Sequence, residues 1–258
     1  LKGNGVVLAS LDIGTNTFRL LIARVTPPGH LEELHSEQRI VRLGEGLAKD
    51  GQLQSKAVGR ALDAIKHFHA VLKKYPVKAV LAVATSAVRE SANGREFVES
   101  IERETGIRVE VITPEEEGRR TLLGVLSSFP EPPQDFLVMD IGGGSTEFMW
   151  GDAQGYEVVS TDLGVVRLTE RFPISHGMNG QTMNNLKGLI QDRLEKVKKA
   201  LSASRPGGFH PVRLIGTAGT ITTLAAIDLG LRVYDPQRIH LHRLNRDKVE
   251  EVIEDLGS

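Results

Sequence analysis

Two stretches of the sequence set a carboxylate beside a turn of glycine and short hydroxyl residues. They are Asp12-Ile13-Gly14-Thr15-Asn16-Thr17 and Asp140-Ile141-Gly142-Gly143-Gly144-Ser145-Thr146. Glycine lets the backbone approach a ligand closely and turn several N–H groups toward one anion. Serine and threonine hydroxyls add donors without bulk. An aspartate in the same turn repels phosphate, so it works through a divalent cation or a water. The two stretches lie 140 − 12 = 128 residues apart, and two such loops facing one another suit a pair of neighbouring phosphates. Taken singly, either one is equally an ordinary hairpin turn. It is the matched pair that points to phosphate binding.

Other charged residues extend this chemistry. Arg89 follows a strand and the turn Thr85-Ser86-Ala87, where a guanidinium can grip phosphate oxygens and steady charge in a transition state. A surface arginine is the plain alternative. Glu147 stands seven residues after Asp140, so the two can share Mg²⁺ or its waters, with Asp12 as the matching carboxylate of the first loop. Thr113-Pro114-Glu115-Glu116 is a capping box, with Thr113 as N-cap, Pro114 opening the helix and Glu116 reaching back. Helix physics thus accounts for Glu115 and Glu116 but leaves Glu117 as a solvated helix glutamate. Gly216-Thr217-Ala218-Gly219-Thr220 lies between a strand and a helix, a place suited to an anion or ribose. His240 and His242 share one face of an extended segment but lack a third ligand for a metal. Neither a Gly-x4-Gly-Lys loop nor a Gly-x-Gly-x-x-Gly turn is present.

These residues need elements to position them, and hydrophobic spacing supplies the outline. Strands are predicted over Gly5–Leu11, Phe18–Val25, Leu31–Leu43, Val77–Ala84, Arg108–Ile112, Phe136–Asp140, Glu147–Trp150, Glu157–Thr161 and Val212–Ile215. Helical spacing runs through Val58, Ala61, Leu62, Ile65, Phe68, Val71 and Leu72. It recurs at Phe97, Val98 and Ile101, and again at Met183, Leu186, Leu189, Ile190, Leu194, Val197 and Leu201. Pro206-Gly207-Gly208 breaks the last of these, and a further helix follows Gly216–Thr220. Pro130-Glu131-Pro132-Pro133 is the strongest break, which divides the chain into residues 1–130 and 131–258. Each part carries a strand, an Asp-Ile-Gly corner and a second strand, so the fold is a duplicated α/β unit with its loops meeting across a cleft.

The two loops, read as Asp12 through Arg19-Leu20 and Asp140 through Glu147, resemble the phosphate loops of the exopolyphosphatase/guanosine pentaphosphate phosphohydrolase (Ppx/GppA) family. Further matches are Ala84-Thr85-Ser86-Ala87-Val88-Arg89, Glu116-Glu117-Gly118-Arg119, Leu163-Gly164-Val165-Val166-Arg167-Leu168 and Gly216–Thr220, in family order over essentially the whole chain. The resemblance implies two ribonuclease H-like domains of the actin–hexokinase–heat-shock-chaperone superfamily facing a central cleft. The second is expected to be incomplete at its C-terminus.

It further implies a Mg²⁺-dependent hydrolase that removes terminal phosphate from inorganic polyphosphate, guanosine pentaphosphate, or both. Glu117 and Arg89 would be catalytic, with Asp12, Asp140 and Glu147 toward the metal. Gly14, Thr15, Asn16, Thr17, Arg19, Gly142, Gly143, Gly144, Ser145 and Thr146 would bind phosphate. Gly216, Thr217 and Gly219 would form a nucleoside loop, either occupied or vestigial. An ATP-dependent small-molecule kinase of the same superfamily and a non-catalytic phosphate or nucleotide sensor are the rival readings. Gly118 departs from the family's usual alanine and is expected to loosen its helix by up to about 1 kcal/mol.

Composition narrows the partners. Lys and Arg total 32 against 33 Asp and Glu, so no net field draws nucleic acid or membrane to the chain. Absence of cysteine excludes a disulfide framework and thiolate chemistry. No apolar run reaches the roughly 18 residues of a membrane span, and Val6–Leu11 lacks the basic flank of a signal peptide. A cytoplasmic protein is expected, with a homodimer among its states, and the first residue, Leu1, points to a longer gene product.

Overall fold

A computed structural model describes residues 5–131, 133–152, 154–173, 180–203 and 213–257. Alternating burial marks the first strand: Val7, Ala9, Leu11 and Ile13 point into the core while Val6 and Leu8 stay exposed. That strand, β1 (Val6–Ile13), pairs antiparallel with β2 (Thr17–Thr26), which pairs with β3 (His30–Ile40). After the short α1 (Leu47–Asp50) comes α2 (Ser55–Leu72), then β4 (Ala79–Ala84), α3 (Ser86–Glu90), α4 (Gly94–Thr105) and β5 (Val109–Val111). The sheet order is β3-β2-β1-β4-β5, with β4 parallel to both β1 and β5. Ile65, Phe68 and Leu72 of α2 and Phe97 and Ile101 of α4 close one core with Leu11, Phe18, Leu20 and Ile22. Full burial of each such side chain contributes about 1.5–3 kcal/mol.

Helix α5 (Pro114–Leu126) precedes β6 (Asp135–Ile141), β7 (Thr146–Asp152), β8 (Gly155–Thr161), α6 (Val165–Arg171) and α7 (Gly180–Ala203). Then come β9 (Arg213–Thr217), α8 (Ala218–Asp228), α9 (Pro236–Ile239) and α10 (Arg246–Gly257). The second sheet runs β8-β7-β6-β9, with β9 parallel to β6, which repeats the β3-β2-β1-β4 order of the first. Registers repeat too. Asp12 lies opposite Arg19 in one hairpin, and Asp140 lies opposite Glu147 in the other.

Strand β7 is covered on both faces. Phe148 and Trp150 pack with Leu137 and with Val197 and Leu201 of α7. Met149 packs with Phe136, Val138 and Leu122 of α5. Helix α5 therefore precedes the Pro130 break in the chain yet rests on the sheet that follows it. Gly118 permits this: a Cβ there would stand 2.5 Å from Val158 Cγ1 and 3.5 Å from Met149 Cγ. That contact replaces the expectation of a merely loosened helix.

Several sequence expectations need adjustment. The predicted third strand stops at Ile40, because the N–H groups of Val41, Arg42 and Gly44 turn to the carbonyls of Asn16, Asn16 and Thr15. The turn before Arg89 is the short helix α3, opened by Thr85 O, which accepts from both Val88 N and Arg89 N. Leu194 in α7 is 42 % exposed, and that helix buries only Val197 and Leu201 among its described residues. Pro132, Pro206-Gly207-Gly208 and Val212 lie outside the described residues.

Candidate active site

The two loops are pinned from behind and face each other. Residues 41–44 hold the carbonyls of Thr15 and Asn16 at 2.9 Å. At the second loop, the N–H groups of Val165 and Val166, opening α6, donate to Gly142 O and Gly143 O at 3.0 and 2.9 Å. Among the described residues the N–H groups of Thr15, Asn16, Gly143 and Gly144 engage no acceptor, which leaves donors for an anion. The glycines are required by the close approach of the loops. A Cβ on Gly143 would stand 3.1 Å from Asn16 Cβ and 3.2 Å from Thr15 Cβ, and one on Gly144 would strike Ser86 Oγ and Thr15 Oγ1. Gly164 is pressed in turn against Gly143 and Gly144.

Helix α6 ties the second loop to the first half of the chain. Arg167 pairs with Glu90, which also accepts from Ser86 Oγ at 2.7 Å. Glu170 Oε1 accepts from Gly46 N at 2.6 Å.

The acidic cluster lies at the strand ends. Thr113 Oγ1 accepts from Glu116 N at 3.2 Å, so the forward half of the capping box forms. Glu116 does not reach back. Its carboxylate takes Arg119 Nε at 2.6 Å and Arg120 Nε at 2.5 Å, and these arginines hold it down at about 2. The next residue goes the other way. Glu117 Oε2 accepts from Arg89 Nη1 at 3.1 Å, and the same Nη1 donates to Ile112 O at 2.8 Å. Burial first, then the Glu147 charge, pushes Glu117 up to about 8 against the pull of Arg89.

Glu147 is 1 % exposed and accepts from Ser160 Oγ at 2.8 Å. Burial pushes it up to about 7, opposed by hydrogen bonds from Ser145 and Ser160. Asp140 accepts from Thr121 Oγ1 at 3.1 Å and is raised by burial. Asp12 is raised by desolvation and pulled back by Arg19, whose Nη1 donates to it at 3.3 Å; its side chain keeps 40 % of its surface open.

Arg89, Glu117, Asp140 and Glu147 therefore share one electrostatic neighbourhood, and Asp12 and Arg19 join it through Asp140. Thr217 lies beside Asp140 in the sheet register, and Thr220 Oγ1 reaches Ile141 O at 3.5 Å, so the Gly216–Thr220 segment adjoins the cluster. Gly219 faces open space. His242 pairs with Asp228 at 2.6 Å, away from these residues in the fold. Thr121, Ser160 and Gly164 were not singled out from the sequence as site residues, although Thr121 sits one helical turn beyond Glu117. Among the described residues no three His, Asp or Glu groups are arranged to hold a metal ion by themselves. No helix there is long and apolar enough to cross a membrane.

The profile of the Ppx/GppA phosphatase family matches residues 21–257. The bifunctional 3-dehydroquinate synthase/phosphatase of Fusobacterium nucleatum is 36 % identical over 257 residues, 96 % of this chain and 38 % of that protein. The chain thus spans well under half of that relative. Exopolyphosphatase 2 of Mycobacterium tuberculosis is 34 % identical over 96 % of this chain and 79 % of its own length. The Aquifex aeolicus PPX-GPPA enzyme superposes with a TM-score of 0.79 at 35 % identity, covering 97 % of this chain and 80 % of that one.

Proposed function

Because the chain belongs to the Ppx/GppA phosphatase family, we propose that it releases the terminal phosphate of inorganic polyphosphate or guanosine pentaphosphate by in-line attack of water. The observation that carries this reading is the placement of Glu117. One oxygen is fixed by Arg89 and the other makes no hydrogen bond among the described residues, while burial and Glu147 raise its proton affinity. Such a carboxylate suits a general base working near neutral pH.

In this reading the free N–H groups of the loops and the Arg89 and Arg19 guanidinium groups hold the phosphate oxygens. Glu117 takes the proton of the attacking water as its oxygen bonds to the terminal phosphorus. The bond to the bridging oxygen breaks, and the shortened substrate leaves with that electron pair. Buried carboxylates raised by desolvation, all offering hard oxygen donors, fit a divalent cation such as Mg²⁺. The lack of a three-ligand cage suits an ion that keeps several waters and takes one or two carboxylates plus phosphate oxygens. Asp140 and Glu147 would hold it, with Asp12 through water. Bound there, the ion supplies charge neutralisation on the phosphate oxygens.

The test is phosphate release from long polyphosphate and from guanosine pentaphosphate, with Mg²⁺ and with a chelator. The reading expects Mg²⁺-dependent release from at least one of them. Retention of both without release by the folded chain contradicts it in favour of a sensor.

A further inference from the structure

Helix α5 carries Glu117 and, one turn later, Thr121, so both side chains leave the same face. A threonine inside a helix is disfavoured by its branched side chain, and its hydroxyl ordinarily turns back to a carbonyl three or four residues earlier. Several helix hydroxyls among the described residues do so, while Ser86 donates to Glu90 Oε1 and Thr220, in the first turn of α8, to Ile141 O. Ser100 donates to Glu96 O at 2.8 Å, Thr105 to Ile101 O at 2.7 Å, Thr169 to Val165 O at 2.9 Å and Thr223 to Gly219 O at 2.7 Å. Thr121 instead donates out of its helix, to Asp140 Oδ2 at 3.1 Å, at the end of β6. Among the described residues Asp140 Oδ1 accepts no hydrogen bond, so one oxygen is fixed while the other stays available.

The geometry points to Thr121 as a positioning residue that aims Asp140 at a divalent cation, an inference that rests on the phosphatase reading above. It makes α5 serve the site twice. Glu117 is presented to the water, and Thr121 sets the carboxylate that meets the ion, so both are indexed to the same helix. A hydrogen-bond partner behind a metal-ligating carboxylate typically changes metal affinity by 10- to 100-fold.

Mn²⁺ is the probe, because electron paramagnetic resonance reads its binding without turnover. Thr121→Val keeps the shape and removes the hydroxyl, whereas Thr121→Ser keeps the hydroxyl. The expected result is about tenfold weaker Mn²⁺ binding in Thr121→Val, with Thr121→Ser close to the native chain. The Mg²⁺ needed for half-maximal phosphate release should rise by the same factor, while KM for polyphosphate at saturating Mg²⁺ stays unchanged. In an Asp140→Asn background, Thr121→Val should add nothing further.

Native Mn²⁺ affinity in Thr121→Val, or equal losses in the Val and Ser variants, overturns the proposal. Should Thr121→Val fail to fold, Thr121→Ala against Thr121→Ser poses the same question. A native chain that binds no Mn²⁺ also overturns it. A native chain that binds Mn²⁺ through Thr121 and Asp140 but releases no phosphate keeps the positioning role and refutes the phosphatase reading alone.

Discussion

Glu116 and Glu117 are adjacent glutamates driven in opposite directions. Two arginines hold Glu116 down at about 2, and burial with Glu147 drives Glu117 up to about 8. The difference follows from which side of α5 each one leaves. The capping signal Thr113-Pro114 was legible in the sequence and fixes where the helix begins, hence which residue faces inward. That the inward neighbour is another carboxylate, Glu147, depends on a contact 30 residues away in the chain and has no local signature. The pH consequence has a definite sign. Glu117 and Glu147 ionise near 4.5 when unfolded but only near 8 and 7 when folded, so the folded chain is the tighter proton binder. Stability from this source is fully present below about 4.5 and is lost as pH rises through 7 to 8. Glu116 is depressed, so its contribution is present above 4.5 and lost toward about 2, outside that window. The thermal midpoint of the metal-free chain should therefore fall between about pH 5 and pH 8, less steeply in Glu147→Gln. Saturating Mg²⁺ should recover it. A flat profile in the native chain would show that these carboxyls are not raised.

At the scale of elements, α5 is the part that sequence reading placed least well. Its existence and N-terminus were readable, but its packing against β7 and β8 was not, because Pro130–Pro133 marks a chain break and says nothing of which sheet a helix joins. Gly118 is where this matters. An alanine there gains about 1 kcal/mol of helix propensity but must push a methyl against Val158 and Met149, and overpacking costs about 1–3 kcal/mol. The two only partly offset each other in stability, leaving a net cost of up to about 2 kcal/mol. Their structural effects do not, since relieving the clash moves α5 and with it Glu117 and Thr121. Gly118→Ala should therefore stay folded, with a thermal midpoint lower by up to about 8 °C, and lose about tenfold or more in turnover, since small misplacements of catalytic groups are costly. Unchanged phosphate release would show that α5 tolerates the shift. Helix α6 also went unread from spacing, because its role is to donate N–H groups to Gly142 and Gly143 rather than to bury an apolar stripe.

Over the whole molecule, duplication explains both what was readable and what was not. The 128-residue period announced two units, and the shared strand order and the pairing of Asp12 with Arg19 and Asp140 with Glu147 bear it out. The halves have diverged at matching positions: where the first hairpin carries Arg19, the second carries Glu147. The first hairpin thus presents an Asp12–Arg19 ion pair and the second two carboxylates, Asp140 and Glu147. Arg89 comes from the first unit, while Glu117 rides on a helix packed against the second sheet, so their ion pair joins the two parts. The most direct test is single-turnover phosphate release by Glu117→Gln at saturating Mg²⁺, with substrate binding measured alongside. The account predicts a loss of at least about a hundredfold in release with binding within a few-fold of native, the signature of a missing general base. Release at the native rate by Glu117→Gln would contradict it.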